Sequence, residues 1–277
     1  MGGSLGMCLK KRRPGKYHIT GIGRHPEKLL LAKKLRAIDE YTTEFESGVQ
    51  SADIVLICTP VNTIVNIYKR ILPHLKPGCI VTDVGSIKTS IIDSVKKISS
   101  GIGVYFVGGH PLAGTEKLSV KYASPDLYKN ATVVLTPDKN NNPGYARAVK
   151  TLAGFWESAG TDVMILSPDK HDAMVSIISH LPHLLAGALV NVASAANSRN
   201  SRLHKLIAGS FRDMTRISDS DPDNWANICY FNKNNLKKYI SAYCKLLKQI
   251  NLNSKPDLMK FFGMAKSGRE KLTNKKQ

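Results

Sequence analysis

The chain has 277 residues, 42% of them hydrophobic, which suits one or two globular domains with buried cores. Its net charge of +19 admits nucleic acid as a partner, but no nucleic-acid motif or aromatic interleaving accompanies the basic residues, so the excess is read as genome composition, which also suits anionic small ligands. No apolar run is read as reaching the roughly 18 residues of a membrane span, positive charge follows the N-terminal apolar stretch instead of preceding it as in a secretory signal, and Cys8, Cys58, Cys79, Cys229 and Cys244 lack metal-ligand spacing; a cytoplasmic chain with free thiols and no metal is expected.

In chain order, His18–Ile22 predicts a strand and Pro26–Arg36 a helix with proline in its first turn. Asp53–Cys58 is almost continuously apolar, as in a strand buried on both faces of a parallel sheet. Val61–Leu72 is helical, Cys79–Asp83 a strand, Ile87–Ile98 a helix, and Val104–Val107 and Thr132–Leu135 strands. Asp138–Pro143 is a polar loop, followed by a helix at Tyr145–Ser158 and a strand at Asp162–Leu166. This alternation predicts a doubly wound α/β sheet of the Rossmann type over residues 1–168. Beyond Pro168 the strand signal ends. Ile177, Ile178, Leu181, Leu184, Leu185, Ala188 and Leu189 form a helical stripe for a core or a subunit contact, so residues 169–277 are expected to form an all-α domain. From about Ser254 the chain is lysine-rich and weakly periodic, and a frayed, mobile tail is expected.

In such a sheet ligands bind beyond the carboxyl ends of the strands. Three polar motifs fall there: Cys58-Thr59-Pro60, the segment from Asp83 through Ser86 to Lys88, and that from Gly109 through His110 to Glu116. A lone loop histidine is more often structural than catalytic, and a Gly-Ser turn before a helix is ordinarily a cap. Their common placement at one sheet edge points to a shared site.

Together with Ser179-His180-Leu181-Pro182-His183 and the stretch from Phe211 through Arg216 to Asp221, Pro222 and Trp225, these motifs resemble the prephenate/arogenate dehydrogenase family over residues 2 to about 250. The resemblance implies oxidative decarboxylation of a cyclohexadienol: hydride leaves the carbon bearing the hydroxyl, carbon dioxide leaves the opposite carbon, and the ring becomes aromatic. A group must take the hydroxyl proton, and a neutral imidazole suits that task. By resemblance it is His110, with Ser86 hydrogen-bonded to His110 or to the hydroxyl; a helix N-cap is the other reading of Ser86. Arg216 is implied for the ring carboxylate, where a planar guanidinium binds in two-point fashion, with Arg212 as helper or plain surface residue. His180 and His183 are implied to line the substrate pocket, Pro182 kinking their helix. Trp225 is assigned to packing of the helical domain. Cofactor contacts are implied at Gly2, Ser4, Leu5, Arg24, Thr59, Pro60 and Asp83, and a homodimer through the helical half.

The sequence departs from the family pattern at its start. Family members begin with a strand entering Gly-x-Gly-x-x-Gly; here Gly2 matches the third glycine, and the strand and first two glycines are missing. A start codon placed too far downstream, a fragment and a degenerate protein each account for this, and the first is preferred. No acid follows Gly21-Ile22-Gly23; Arg24 stands there and could meet a 2′-phosphate, tilting the expectation to NADP over NAD. A hydroxy-acid dehydrogenase ranks lower, since His171–Asn191 holds no lysine for its chemistry. A paralogue kept only for dimerisation or a basic surface is the non-enzyme alternative. The 277-residue chain is expected to bind its cofactor poorly; tight nicotinamide binding in calorimetry would contradict this.

Overall fold

A computed structural model describes residues 1–98, 103–114, 119–139, 142–199 and 202–273. The first helix, α1 (Gly2–Arg12), leads to β1 (Thr20–Ile22), α2 (Pro26–Lys34), β2 (Glu40–Thr42) and α3 (Phe45–Val49). Then follow β3 (Ile54–Ile57), α4 (Ile64–Ile71), β4 (Ile80–Asp83), α5 (Thr89–Lys96), β5 (Tyr105–Pro111), β6 (Thr132–Thr136), α6 (Pro143–Ser158) and β7 (Asp162–Ile165). The remainder is helical: α7 (Pro168–Val175), α8 (Leu181–Arg199), α9 (Gly209–Thr215), α10 (Pro222–Phe231), α11 (Lys233–Lys248) and α12 (Lys255–Thr273).

The strands form two sheets, a parallel β1–β2 pair and a five-stranded sheet in the order β3-β4-β5-β6-β7. No ladder joins β1 to β3. The consequence shows in burial: Ile54, Val55 and Leu56 of β3 stay partly exposed, whereas all of β4 is buried. Helix α1 spans the division. Leu5, Cys8 and Leu9 pack with Ile80, Val107, Leu135 and Trp156 on one face of the larger sheet, and Met7 packs on the small cluster of Ala32, Ala37 and Ile38. The opposite face carries α4 and α5, through Ile64, Tyr68, Ile71, Ile91 and Ile92.

The larger sheet is parallel at every pairing but one. Strand β6 runs antiparallel to β5, with His110 opposite Val134. Parallel neighbours need a crossover connection, usually a helix. Between Pro111 and Thr132 the described residues form only a 3-10 turn, Val120–Tyr122, so β6 returns alongside β5.

One expectation is corrected. The chain beyond Ser254 forms α12, which turns back after α11, with Asn251 Nδ2 donating to Asp257 Oδ2 at 2.9 Å. A continuous helical stretch, Pro168–Ser198, is also long and apolar enough to cross a membrane by length and composition. It meets that test by mean hydropathy over a window, not by an unbroken apolar run, and 28% of the window is buried within the chain.

The glycine at position 6 is fixed by close approach. A Cβ there would lie 1.9 Å from the carbonyl oxygen of Ala37. In an exposed helix Gly→Ala gains about 1 kcal/mol, but a clash with backbone costs about 1–3 kcal/mol. Gly6→Ala is therefore expected to lower the urea unfolding midpoint; an unchanged or higher midpoint would show that α1 does not press on this segment.

Candidate active site

Strand β4 ends in Asp83, and β5 continues past it to Gly109 and His110. The two strands come so close that a Cβ on Gly109 would lie 2.7 Å from the Asp83 carbonyl oxygen. Asp83 is wholly buried. Its carboxylate accepts from Gly109 N at 3.1 Å, from Gly85 N at 2.9 Å and from the Lys88 ammonium, which also donates to Gly109 O at 2.8 Å. Burial lowers the proton affinity of Lys88, and the charge of Asp83 beside it opposes that. The carboxylate of Asp83 thus braces the ends of β4 and β5 from within.

The second contributor is the start of the helical domain. Asp172 on α7 is buried and points its carboxylate at the first turn of α5, accepting from Lys88 N and Thr89 N at 2.9 Å each. A helix N-terminus offers unpaired N–H groups and positive potential, and a carboxylate satisfies both. Here the cap comes from a residue far along the chain, so it ties the two halves together. Burial raises the Asp172 pKa, but hydrogen bonds from His171, Thr89 and Lys88 outweigh it, and the group stays ionised below the usual range.

The neighbouring His171 is also buried. Its Nδ1 lies 2.8 Å from Asp172 Oδ1 and its Nε2 lies 2.8 Å from Nδ1 of His110. Burial, then the facing His171, Lys88 and His180, hold the His110 pKa well below the ordinary imidazole value. At neutral pH His110 is therefore an unprotonated imidazole.

Between α7 and α8 the helix makes a π turn, Ser176–His180. Pro182 lacks an N–H and disturbs the α ladder, and the wider turn absorbs the disturbance in place of a sharp kink. His180 ends buried, its Nδ1 3.1 Å from Asn232 Nδ2, which also donates to Asp172 O at 2.8 Å. Its Nε2 has no hydrogen-bond partner among the described residues. One turn on, His183 stacks on Trp225 with ring centroids 3.4 Å apart, and His180 meets the same indole edge-on. Trp225 also packs against the cluster that holds α4 and β4, so it joins the domains instead of filling the helical one alone.

A second group gathers where α1 meets the end of β3. A Cβ on Gly2 would lie 3.1 Å from Cys58 Sγ, and no side chain caps the N–H groups of this helix. Ser4 is buried and accepts from Ser124 N at 3.1 Å, Leu5 is core, and Thr59 accepts from Thr63 Oγ1 at 2.8 Å beside the exposed Pro60. The uncapped first turn at a strand's carboxyl end has the polarity that a pyrophosphate requires.

Residues 5–165 match the family signature described as the nucleotide-binding domain of prephenate dehydrogenase, and residues 167–262 match its dimerization domain. The chain belongs to the prephenate dehydrogenase family. Prephenate dehydrogenase of Bacillus subtilis is 33% identical over 98% of this chain and 73% of its own length. Cyclohexadienyl dehydrogenase of Zymomonas mobilis is 32% identical over 79% of this chain and 73% of its own. Among solved structures, prephenate dehydrogenase from A. aeolicus in complex with hydroxyphenyl propionate and NAD+ superposes with a TM-score of 0.88 at 34% identity, covering 98% of this chain and 94% of that one. Synechocystis arogenate dehydrogenase gives 0.82 at 28% identity over 98% and 96%.

Of the residues singled out in the sequence, the fold links His110 to His180 through His171, Asp172 and Asn232, and His183 through Trp225. Ser86 is half-buried on the loop after β4 and makes no side-chain hydrogen bond among the described residues; Nδ1 of His110 meets His171, and the first turn of α5 is capped by Asp172 in place of Ser86. Arg216 is exposed on a 3-10 turn packed against α8, Arg212 is exposed on α9, and Arg24 is exposed just past β1. Thr115 and Glu116 of the His110 motif lie outside the described residues. Sequence reasoning passed over Lys88, His171, Asp172 and Asn232. The available signal was an adjacent imidazole and carboxylate at the head of an otherwise apolar helix.

Burial holds the His180 pKa at about 4, with Asp172 pulling it up and His171 and His183 down. The unfolded chain takes up a proton near 6.5 and the folded chain does not, so acid favours unfolding across that window. The urea midpoint is expected to fall between pH 6.5 and about 4, and to fall less in His180→Asn; equal slopes in both proteins would contradict a neutral buried ring.

Proposed function

We propose that this protein catalyses the oxidative decarboxylation of prephenate or arogenate, yielding 4-hydroxyphenylpyruvate or tyrosine, with a nicotinamide dinucleotide as oxidant. The observation that carries the reading is His110, an imidazole kept neutral at the carboxyl end of β5, with Nδ1 engaged by His171 and no hydrogen bond of Nε2 among the described residues. When bound, the cofactor supplies a hydride acceptor. The chain supplies the rest. His110 accepts the hydroxyl proton as the carbonyl develops, and Ser86 holds that hydroxyl. The ring carboxylate is neutralised by Arg216, with Arg212 near it on the preceding helix. His180, through its unpartnered Nε2, and His183, on its indole platform, line the side of the substrate. Aromatisation drives the loss of carbon dioxide, so orienting the ring is the main demand on the protein.

The first turn of α1 with Gly2, Ser4 and Leu5, together with Thr59 and Pro60, forms the cofactor's phosphate and ribose side. Arg24 meets the 2′ position, which favours NADP modestly; the solved relative from A. aeolicus holds NAD+. The exposed Ile177, Ile178, Leu184, Leu189 and Val192 on the long helical stretch fit a homodimer contact, in keeping with the dimerization-domain match. Burial against a second copy, not against lipid, is the role of that apolar face.

Assays with each substrate and each cofactor, at saturating cofactor and read by reduced-nicotinamide absorbance, test the proposal. Turnover of at least one pair is expected, His110→Asn should lose about 10²–10⁴-fold in kcat, and Arg24→Ala should impair NADP use more than NAD use. No turnover of either substrate would overturn the reading.

A further inference from the structure

The one-directional chemistry of a carboxylate fixes more than the position of His110. An ionised carboxylate only accepts hydrogen bonds. Asp172 receives two backbone N–H groups from the head of α5, and its Oδ1 also lies 2.8 Å from Nδ1 of His171. That nitrogen must therefore carry a proton. A neutral His171 then has a lone pair on Nε2, which lies 2.8 Å from Nδ1 of His110. The contact is a hydrogen bond only if His110 donates from Nδ1, which leaves the lone pair of His110 on Nε2.

We propose that His171 and Asp172 are positioning residues that lock His110 in the tautomer protonated on Nδ1, so that Nε2 is the nitrogen presented to the substrate hydroxyl. This rests on the assignment of His110 as the base. Both residues are buried, and neither needs to touch substrate. In the reaction the hydroxyl O–H bond breaks, its proton forms a bond to Nε2 of His110, and the electron pair left on oxygen becomes the carbonyl as hydride departs to the nicotinamide dinucleotide. His110 is then an imidazolium, and the His171–Asp172 pair faces the new charge with a lone pair backed by a carboxylate. The same carboxylate also raises the proton affinities of Lys88 and His180. His171, Lys88 and His180 all face His110 and hold its proton affinity down, so what His171 adds is directional: the Nε2 lone pair of its neutral form, 2.8 Å from Nδ1 of His110.

Without His171 the neutral ring could place its proton on Nε2 and present no lone pair to substrate. A serine-protease aspartate serves a comparable purpose, and loss of correct tautomer there costs about 10⁴-fold. Two measurements on the full chain test the proposal. Nitrogen-15 spectra of histidine-labelled wild-type protein at neutral pH should show His110 and His171 each protonated on Nδ1 and bare on Nε2. His171→Leu should lose about 100-fold or more in kcat with little change in KM. His171→Gln, whose side-chain oxygen still accepts from Nδ1 of His110, should stay within about tenfold of wild type. A wild-type spectrum with the His110 proton on Nε2, or with His171 doubly protonated, overturns the proposal, as does equal loss in the two variants. His110→Asn separates the two levels of argument. If it keeps wild-type turnover, the base assignment itself is wrong; if it is inactive while the spectrum puts the proton on Nε2, only the positioning role is wrong.

Discussion

The carboxylate of Asp172 is the contact on which the arrangement of the site depends. It caps α5 of the nucleotide-binding half from α7 of the helical half, and the same oxygen that accepts from Lys88 N accepts from His171. Asn232 holds the Asp172 carbonyl and His180 from the far side. A buried carboxylate without donors is costly, and one with several is a rigid node. The node fixes where the domains meet and which way two imidazole rings face. Beside it the Asp83–Lys88 pair ties the ends of β4 and β5 together, so His110 is set from below by the sheet and from the side by α7.

This organisation explains why the proton affinities diverge within a few residues. His110 and His180 are stripped of water and lie near other basic rings, so both stay neutral. Asp172 lies among donors and stays charged. Environments that push titratable groups apart are the means by which one cavity can both take a proton and hold an anion.

Much of this was legible in the chain. Period-two and period-3.6 patterns located β1, β3 to β7, α2 and α4 to α6 within a few residues, because burial on a sheet face or a helix stripe leaves a direct mark on residue type; α1, β2 and α3 went unread, and the helical half was read only as a whole. Motif order located His110, His180 and His183. The misses share a physical cause. The antiparallel turn of β6 depends on the absence of a crossover helix, which strand patterns alone do not report. The bracing of β5 by Asp83 runs through the buried Lys88 beside it, which a strand pattern does not report. The capping of α5 by Asp172 joins positions over eighty residues apart, and nothing local in either segment announces the other. The α12 helix shows the opposite failure: weak periodicity was taken for disorder, although a helix with no fully buried residue needs only a faint stripe.

The π turn at Ser176–His180 gives the long helix an offset of phase. One residue beyond the α repeat rotates all that follows by about 100° about the axis. The head of the helix thus aims His171 and Asp172 at the sheet, while its continuation aims His183 at the Trp225 indole. The spacing between these segments is therefore as tightly constrained as their composition: deleting a single residue there would leave every side chain present and swing half of them out of alignment.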